Sequence, residues 1–353
     1  MLKTSPLDDA HRGLGAKMGA FAGWDMPISY AGTVSEHTGV RERVGIFDVS
    51  HLGKVLVRGE GARAFLDRQL ANRMTTLEPG RARYTLICND DAGIIDDLIV
   101  YAIARDELLV VPNASNVDEV AARLVDAAPK DMAVDRPDLT TLAVQGPASP
   151  DIVGAIFPEA KDLRYMRIVR AADVVIARSG YTGEVGYEIF TSFADARAIW
   201  DQLLEGVRAA GGEPAGLAAR DTLRLEMGYP LHGNDIDTFT TPAEAGLTWA
   251  VKLEGREFPG ARALRERAPA KSLIGLRMTD RLIPRRGQDV LRDGRAIGSI
   301  TSGTFSPTLR VGIALAHVEP GSAAVGDDLT VDVRGKMGSA EVVDPPFVDR
   351  SPK

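Results

Sequence analysis

Beyond Ala268-Pro269-Ala270-Lys271 the chain consists almost wholly of short runs that alternate apolar and polar residues: SLIGLRM, DVLRDGRAIGSITS, VGIALAHV and LTVDVR. A period of two, broken by turn signals such as Asp293-Gly294, specifies half-buried strands. Strands this short leave edges that must be paired, so the segment 271–353 is expected to close into a small antiparallel β-barrel. The preceding part reads differently. Residues 54–58, KVLVR, alternate like a strand, residues 62–70 follow at helical spacing, and RYTLIC, IIDDLIVYAI and ELLVV are β-branched runs separated by hairpin-like punctuation. A helix is expected after Asn113–Asn116, with Val117, Val120, Ala121, Leu124 and Val125 as its apolar stripe and Pro129 ending it. A second is expected after Ser192, with Phe193, Ile199, Trp200, Leu203, Leu204 and Val207 inward, stopping at Gly211-Gly212. A third runs from about Leu217 to Met227 and a short one lies near 259–267. The whole is α+β followed by all-β.

Composition excludes several classes. With 353 residues the chain is long enough for two or three packed units. It has 42 basic and 49 acidic side chains, a formal charge of −7, which disfavours a protein that wraps nucleic acid through its overall field. No run approaches the roughly eighteen apolar residues of a membrane span. The single cysteine, Cys88, allows neither an internal disulfide nor a cysteine zinc cage, and suits a reducing compartment. The N-terminal stretch lacks an apolar signal core and carries Asp8 and Asp9, so a cytoplasmic, unprocessed protein is expected.

Some motifs are decoys. Gly59-Glu60-Gly61-Ala62-Arg63-Ala64 matches a dinucleotide fingerprint, but Glu60 would face a pyrophosphate and the following runs are antiparallel in type. The five histidines, at 11, 37, 51, 232 and 317, have no metal-ligand spacing. Ser50 and His51 are adjacent, so in a strand they point to opposite faces and make no nucleophile pair by themselves.

Three stretches carry chemistry. In IIDDLIVY two carboxylates interrupt an apolar strand; alternation puts Asp97, Ile99 and Tyr101 on one face and Asp96, Leu98 and Val100 on the other. One carboxylate then meets an interior surface, or both lie at a solvated strand end after Gly93. The residues alone leave both readings open. SGYTGEVGYE, residues 179–188, favours a tight hairpin whose glycines admit a flat ligand and whose Tyr and Glu offer faces and acceptors; it also reads as an ordinary surface turn. Arg220 and Arg224 lie four apart on one helical face, suited to a carboxylate or to ion pairs with residues such as Glu226.

Taken in order, AGWDMPISY, GIFDVSHLGK, IIDDLIVY, VQGP, SGYTGEVGYE, GLAARDTLRLEMGYPLHGND and TSGTFSPTL resemble the aminomethyltransferase family, the T-protein of the glycine cleavage system. The resemblance spans nearly the whole chain. It implies a three-domain cloverleaf: a discontinuous folate-binding α+β domain at 1–51 and 137–270, an inserted α+β domain at 52–136, and the antiparallel β-barrel at 271–353. It implies transfer of an aminomethyl carbon from the lipoyl arm of H-protein to tetrahydrofolate as co-substrate, with neither metal nor flavin. Asp97 matches the catalytic aspartate, with Asp96 as its outward or supporting neighbour. Tyr84, Tyr101, Asn113, Tyr181, Glu188 and Arg220 match folate-contacting positions, Glu188 at the pterin edge, and Arg350 matches a residue closing over the ligand. Leu52, Pro112, His232 and Arg310-Val311-Gly312 depart from the usual pattern without removing a catalytic group. Flavin-dependent relatives need a further large domain, and tRNA-modifying relatives carry a lysine-glycine-cysteine-tyrosine segment that is missing here. A folate-binding protein without turnover is the non-enzyme alternative.

Overall fold

The computed structural model describes residues 1–352, which divide into two compact units: residues 1–87 with 96–220 and 351–352, and residues 88–95 with 221–350. The first unit contains a six-stranded sheet in the order Ile168–Ala171, Val174–Ala177, Gly186–Ser192, Leu139–Gln145, Gly45–Asp48, Glu213–Pro214. Neighbours pair antiparallel except the last, which runs parallel to Gly45–Asp48. Alternation gives this sheet two distinct faces. Ile46, Leu142, Val144, Ile176, Tyr187 and Ile189 lie under the helices Ser149–Ile156 and Ala196–Ala209, around the fully buried Trp200.

The opposite face meets a second sheet, ordered Arg81–Cys88, Ile94–Ala104, Glu107–Val111, Val55–Arg58, Ala133–Asp135. Ala177 and Phe190 from the first sheet pack on Tyr101, Leu109 and Val111 from the second, with Leu52 and Ile99 at the margin. The strand Val55–Arg58 is antiparallel to both of its neighbours, so the glycines after it form a turn with positive φ at Gly59 and Gly61 and not a parallel crossover. The dinucleotide decoy is thereby excluded.

The helices fall where periodicity places them, at Val117–Ala127, Ala196–Ala209, Leu217–Glu226 and Ala261–Glu266. Two stripe residues differ from expectation. Val125 is exposed, because Val120, Ala121 and Leu124 already complete the buried arc, and Phe193 is exposed in the turn that precedes the second helix.

In the second unit six strands close into a barrel ordered Ser272–Met278, Val311–Val318, Arg295–Ser306, Asp289–Arg292, Asp328–Val333, Lys336–Val343, all antiparallel. Leu276, Ile300, Ala314, Ala316, Val331 and Val342 fill it. The register slips between Ile300 and Ser302, and this bulge re-aims Thr301 and Ser302 so that both hydroxyls donate to Asp235, at 2.5 and 2.8 Å. Arg224 completes that buried group with 2.9 Å bonds to Asp235 and Ser302, while Glu226 accepts from Ser306 and Thr308. TSGTFSPTL is therefore an anchoring motif. No helix among the described residues is long and apolar enough to cross a membrane.

Gly146 of VQGP holds φ +126°, and a Cβ there would lie 2.6 Å from the Val40 carbonyl oxygen and 2.7 Å from that of Arg43. Backbone cannot yield as a side-chain tip can. Gly146→Ala is expected to lower stability by roughly 3 kcal/mol or more. Gly39→Ala, at an open helical position, should be neutral or slightly stabilising. Urea unfolding midpoints of the two variants check the contrast.

Candidate functional site

Alternation along Gly186–Ser192 decides the site's first acid. Tyr187 and Ile189 point under the helices, so Glu188 between them points toward the other sheet, where it is buried. There it accepts from the Tyr101 hydroxyl at 2.8 Å and from the Ser179 hydroxyl at 2.5 Å. Burial pushes the Tyr101 phenol well above its ordinary pKa, helped by the Glu188 charge, so it stays a donor.

The segment 178–185 ahead of Glu188 is broader than the tight hairpin expected, since Ala177 pairs with Glu188 and eight residues lie between the two strands. The reason is a buried glutamine. Gln145 threads between Gly180 and Gly186, where any Cβ would come within 2.0 and 2.2 Å of its amide, and it bonds the Ser179 carbonyl and the Thr182 hydroxyl. Arg41 holds the same loop through the Thr182 carbonyl and a buried ion pair with Glu184 at 3.0 Å. The loop is rigidly held, and it delivers Tyr181 beneath Arg220, whose guanidinium carbon sits 4.7 Å from the ring centroid.

Arg220 is half-buried; its backbone N–H donates to the Gly216 carbonyl, but among the described residues its guanidinium has no hydrogen-bond or ion-pair partner. Burial pulls its pKa down, while Glu188, Tyr181 and Tyr101 act the other way. Arg224, its helical neighbour, goes elsewhere, into bonds with Asp221 and Asp235. The two arginines therefore do not form one binding face. Arg220 keeps five donors for something outside the chain.

The second acid pair lies on Ile94–Ala104. Asp96 is fully buried and accepts from the Asn113 backbone at 2.9 Å, the Asn113 amide at 2.8 Å and the Asn116 amide at 2.7 Å. It is the supporting neighbour and not an outward one. Burial first, then the charge of Asp97, pushes its carboxyl up to about 8 against those three donors. Asp97 is half-buried and accepts from the same Asn113 amide at 2.9 Å and from the Tyr84 hydroxyl at 3.1 Å. Pro112, before Asn113, receives the Gly53 N–H and leaves the asparagine on both acids.

Asp97 and Tyr181 both act on the Tyr84 phenol, Tyr181 carries Arg220, Arg220 faces Glu188, and Glu188 holds Tyr101. Hydrogen bonds join Tyr84 and Asn113 to Asp97 and Tyr101 to Glu188, Arg220 stacks on Tyr181, and electrostatic influence alone relates these three groups within the first unit. Arg350 belongs to the second unit, where it is exposed after the last barrel strand and its N–H donates to Val348.

Sequence reasoning missed several residues. Lys54 is buried, donates to the Ser50 carbonyl at 2.9 Å, and is pushed down to about 7 by burial against the attraction of Asp48 and Glu188. Ser179 and half-buried Tyr165 also border Glu188. Asp48 collects the hydroxyls of Ser5 and Ser50 and the His11 ring, which the Tyr30 hydroxyl meets on its other nitrogen. That cluster ties Ser50 to Asp48, so Ser50 is no nucleophile partner for His51. Lys54 in GIFDVSHLGK was the one legible signal, a lysine inside a run that otherwise reads as buried.

The chain matches the family model of the GCVT N-terminal domain over residues 7–255 and that of the glycine cleavage T-protein C-terminal barrel domain over 271–349. It is 48% identical over 364 residues to an aminomethyltransferase of Parafrankia sp. (strain EAN1pec), covering 100% of this chain and 99% of that one. It is 47% identical over 354 residues to an aminomethyltransferase of Mycobacterium tuberculosis (strain ATCC 25618 / H37Rv), covering 97% and 96%. The crystal structure of glycine cleavage system aminomethyltransferase T from Bartonella henselae superposes with a TM-score of 0.95 at 38% identity, covering 99% of each chain. With both domain models matched in order and whole-length likeness in sequence and fold, the chain belongs to the aminomethyltransferase family, the T-protein of the glycine cleavage system.

Proposed function

We propose that this aminomethyltransferase moves the methylene carbon of the aminomethyl-lipoyl group of H-protein to tetrahydrofolate, releasing ammonia and giving 5,10-methylenetetrahydrofolate and dihydrolipoyl H-protein. The carbon exchanges its bonds to sulfur and nitrogen for bonds to N5 and N10. The two protons leaving N5 and N10 end on the thiol and on ammonia, so the reaction balances without an oxidant. The observation that carries the reading is a set of buried and half-buried polar groups in one unit: Asp97 held by Tyr84 and Asn113, Glu188 held by Tyr101 and Ser179, and Arg220 stacked on Tyr181. A flat heterocycle with a donor edge suits the buried Glu188 carboxylate, and the Arg220 guanidinium, without an acceptor among the described residues, suits a carbonyl or carboxylate on the same ligand.

Within this reading Asp97 orients N10 and takes up its proton. Asn113 bridges the two acids, and a neutral Asp96 leaves the negative charge on Asp97, where the proton transfer needs it. Tyr84 donates to Asp97 and sets its rotamer. Tyr101 and Ser179 hold Glu188 in place, and Tyr181 with Arg220 supplies a stacked platform. Arg350 is assigned the closing role, and the chain is divided as 1–51 with 137–270, 52–136 and 271–353. Lipoylated H-protein is the partner and the cytoplasm the compartment, which the buried, unbridged Cys88 suits. The proposal calls on neither metal nor flavin.

Asp97→Asn is expected to keep the fold and lose transfer by about 10²- to 10⁴-fold, read as tetrahydrofolate-dependent ammonia release from aminomethylated H-protein. Undiminished turnover in a folded variant removes Asp97 from the mechanism. Glu188→Gln turns half of a buried acceptor into a donor, so tetrahydrofolate should bind about tenfold more weakly by calorimetry while the melting temperature changes little. Asp96 gives a pH test. A carboxyl raised in the folded state contributes stability that is whole below the unfolded value near 4 and is lost as pH rises toward about 8. The melting temperature of Asp96→Asn minus that of the wild type should therefore climb between pH 5 and pH 8. A flat difference means Asp96 ionises at its ordinary value.

A further inference from the structure

His51 is 4% exposed, yet among the described residues its Nδ1 has no hydrogen-bond partner. Such atoms are rare, because a buried polar nitrogen left without a partner forfeits its hydration for nothing. The ring is well held otherwise. It packs perpendicular to the Phe21 ring, with centroids 5.3 Å apart and planes at 83°, and the Asp48 cluster fixes the preceding residue, Ser50. The electrostatic neighbours of His51 are Arg220, Lys54 and Asp48. Arg220 and Lys54 are also the cations that act with Glu188. The imidazole is thus within electrostatic reach of Arg220, and the next residue, Leu52, packs against the apolar layer that contains Tyr101, the partner of Glu188.

We propose that His51 is a further substrate-binding residue, whose Nδ1 exchanges its missing hydrogen bond with the heterocycle of bound tetrahydrofolate. The inference rests on the reading of this lining as the tetrahydrofolate site. The neighbouring cations explain the residue type: between Arg220 and Lys54 a third positive charge is disfavoured, and burial together with Arg220 pushes His51 down to about 3. A ring held neutral can accept or donate through Nδ1 according to tautomer, which a lysine or arginine there could not do. The three groups then divide the work: Arg220 and Lys54 supply donors, Glu188 an acceptor, and His51 the adaptable nitrogen.

The test compares His51→Leu, similar in bulk and without a polar atom, with His51→Asn, whose amide returns a polar atom near the position of Nδ1. Tetrahydrofolate affinity is measured by calorimetry on the full chain, and melting is followed without ligand. His51→Leu should bind about tenfold more weakly yet melt at the same or a higher temperature, since it deletes a buried unpartnered nitrogen. His51→Asn should recover most of the affinity. Equal affinity of His51→Leu and wild type overturns the inference and assigns the nitrogen to a resident water. A His51→Leu chain that melts well below wild type, with an affinity loss that Asn does not recover, overturns it in favour of a packing role. A wild-type chain that binds no tetrahydrofolate overturns the reading of the whole lining, a failure distinct from the other two.

Discussion

The edge-to-face contact of Tyr101 with Phe190, centroids 5.1 Å apart, sits in the apolar layer that joins two antiparallel sheets in the first unit. Phe190 is two residues beyond Glu188 and Tyr101 is four beyond Asp97, so each aromatic shares a face with one of the acids. Burying that layer therefore forces both carboxylates toward the same interior. The apolar driving force is non-directional, but the period of the strands makes its consequences directional. A slip of one residue in either strand would turn an acid away and bring in Tyr187 or Leu98 instead.

Two kinds of buried charge follow from that placement, and their partners separate them. Arg41 with Glu184, and Arg224 with Asp235, are enclosed ion pairs with further partners: the Thr182 carbonyl for Arg41, and for the second pair the Tyr229 carbonyl, the Asp221 carboxylate, the Leu231 N–H and the Ser302 hydroxyl. They hold a loop and a barrel strand in position, and removing one partner would strand the other in a poorly solvating interior. Arg220, Lys54 and His51 are different. Arg220 and Lys54 feel the Glu188 charge, His51 feels both cations, and among the described residues the Arg220 guanidinium and His51 Nδ1 have no hydrogen-bond partner. Completed networks build the protein; an incomplete one suits the binding role proposed above.

Much of the fold was legible. The change to pure alternation after Lys271 announced the barrel, and the helices at Val117–Ala127 and Ala196–Ala209 lie within a few residues of their periodic signals. The loop at 178–185 was misjudged because its breadth is set by Gln145, more than thirty residues earlier, and no local pattern reports a glutamine arriving between two glycines. Arg220 and Arg224 looked equivalent on a helical wheel. Their separation depends on Asp235, on Ser302 and on the bulge before it.

By itself the sequence determined the period of the barrel strands, of Ile94–Ala104 and of the helices Val117–Ala127 and Ala196–Ala209, hence which of their residues share a face, and it carried enough ordered motifs to indicate the family. It also isolated Asp96 and Asp97 as charges inside an apolar strand. Only the tertiary structure decided which of the two is enclosed, since both faces of that strand are mostly apolar and solvation depends on what packs against each. It alone showed that one asparagine amide bridges the pair, that Lys54 and His51 are buried, and that Ser50 is committed to Asp48. These facts come from contacts between distant segments, and a buried group's ionisation and hydrogen bonding are set by the neighbours that folding brings to it.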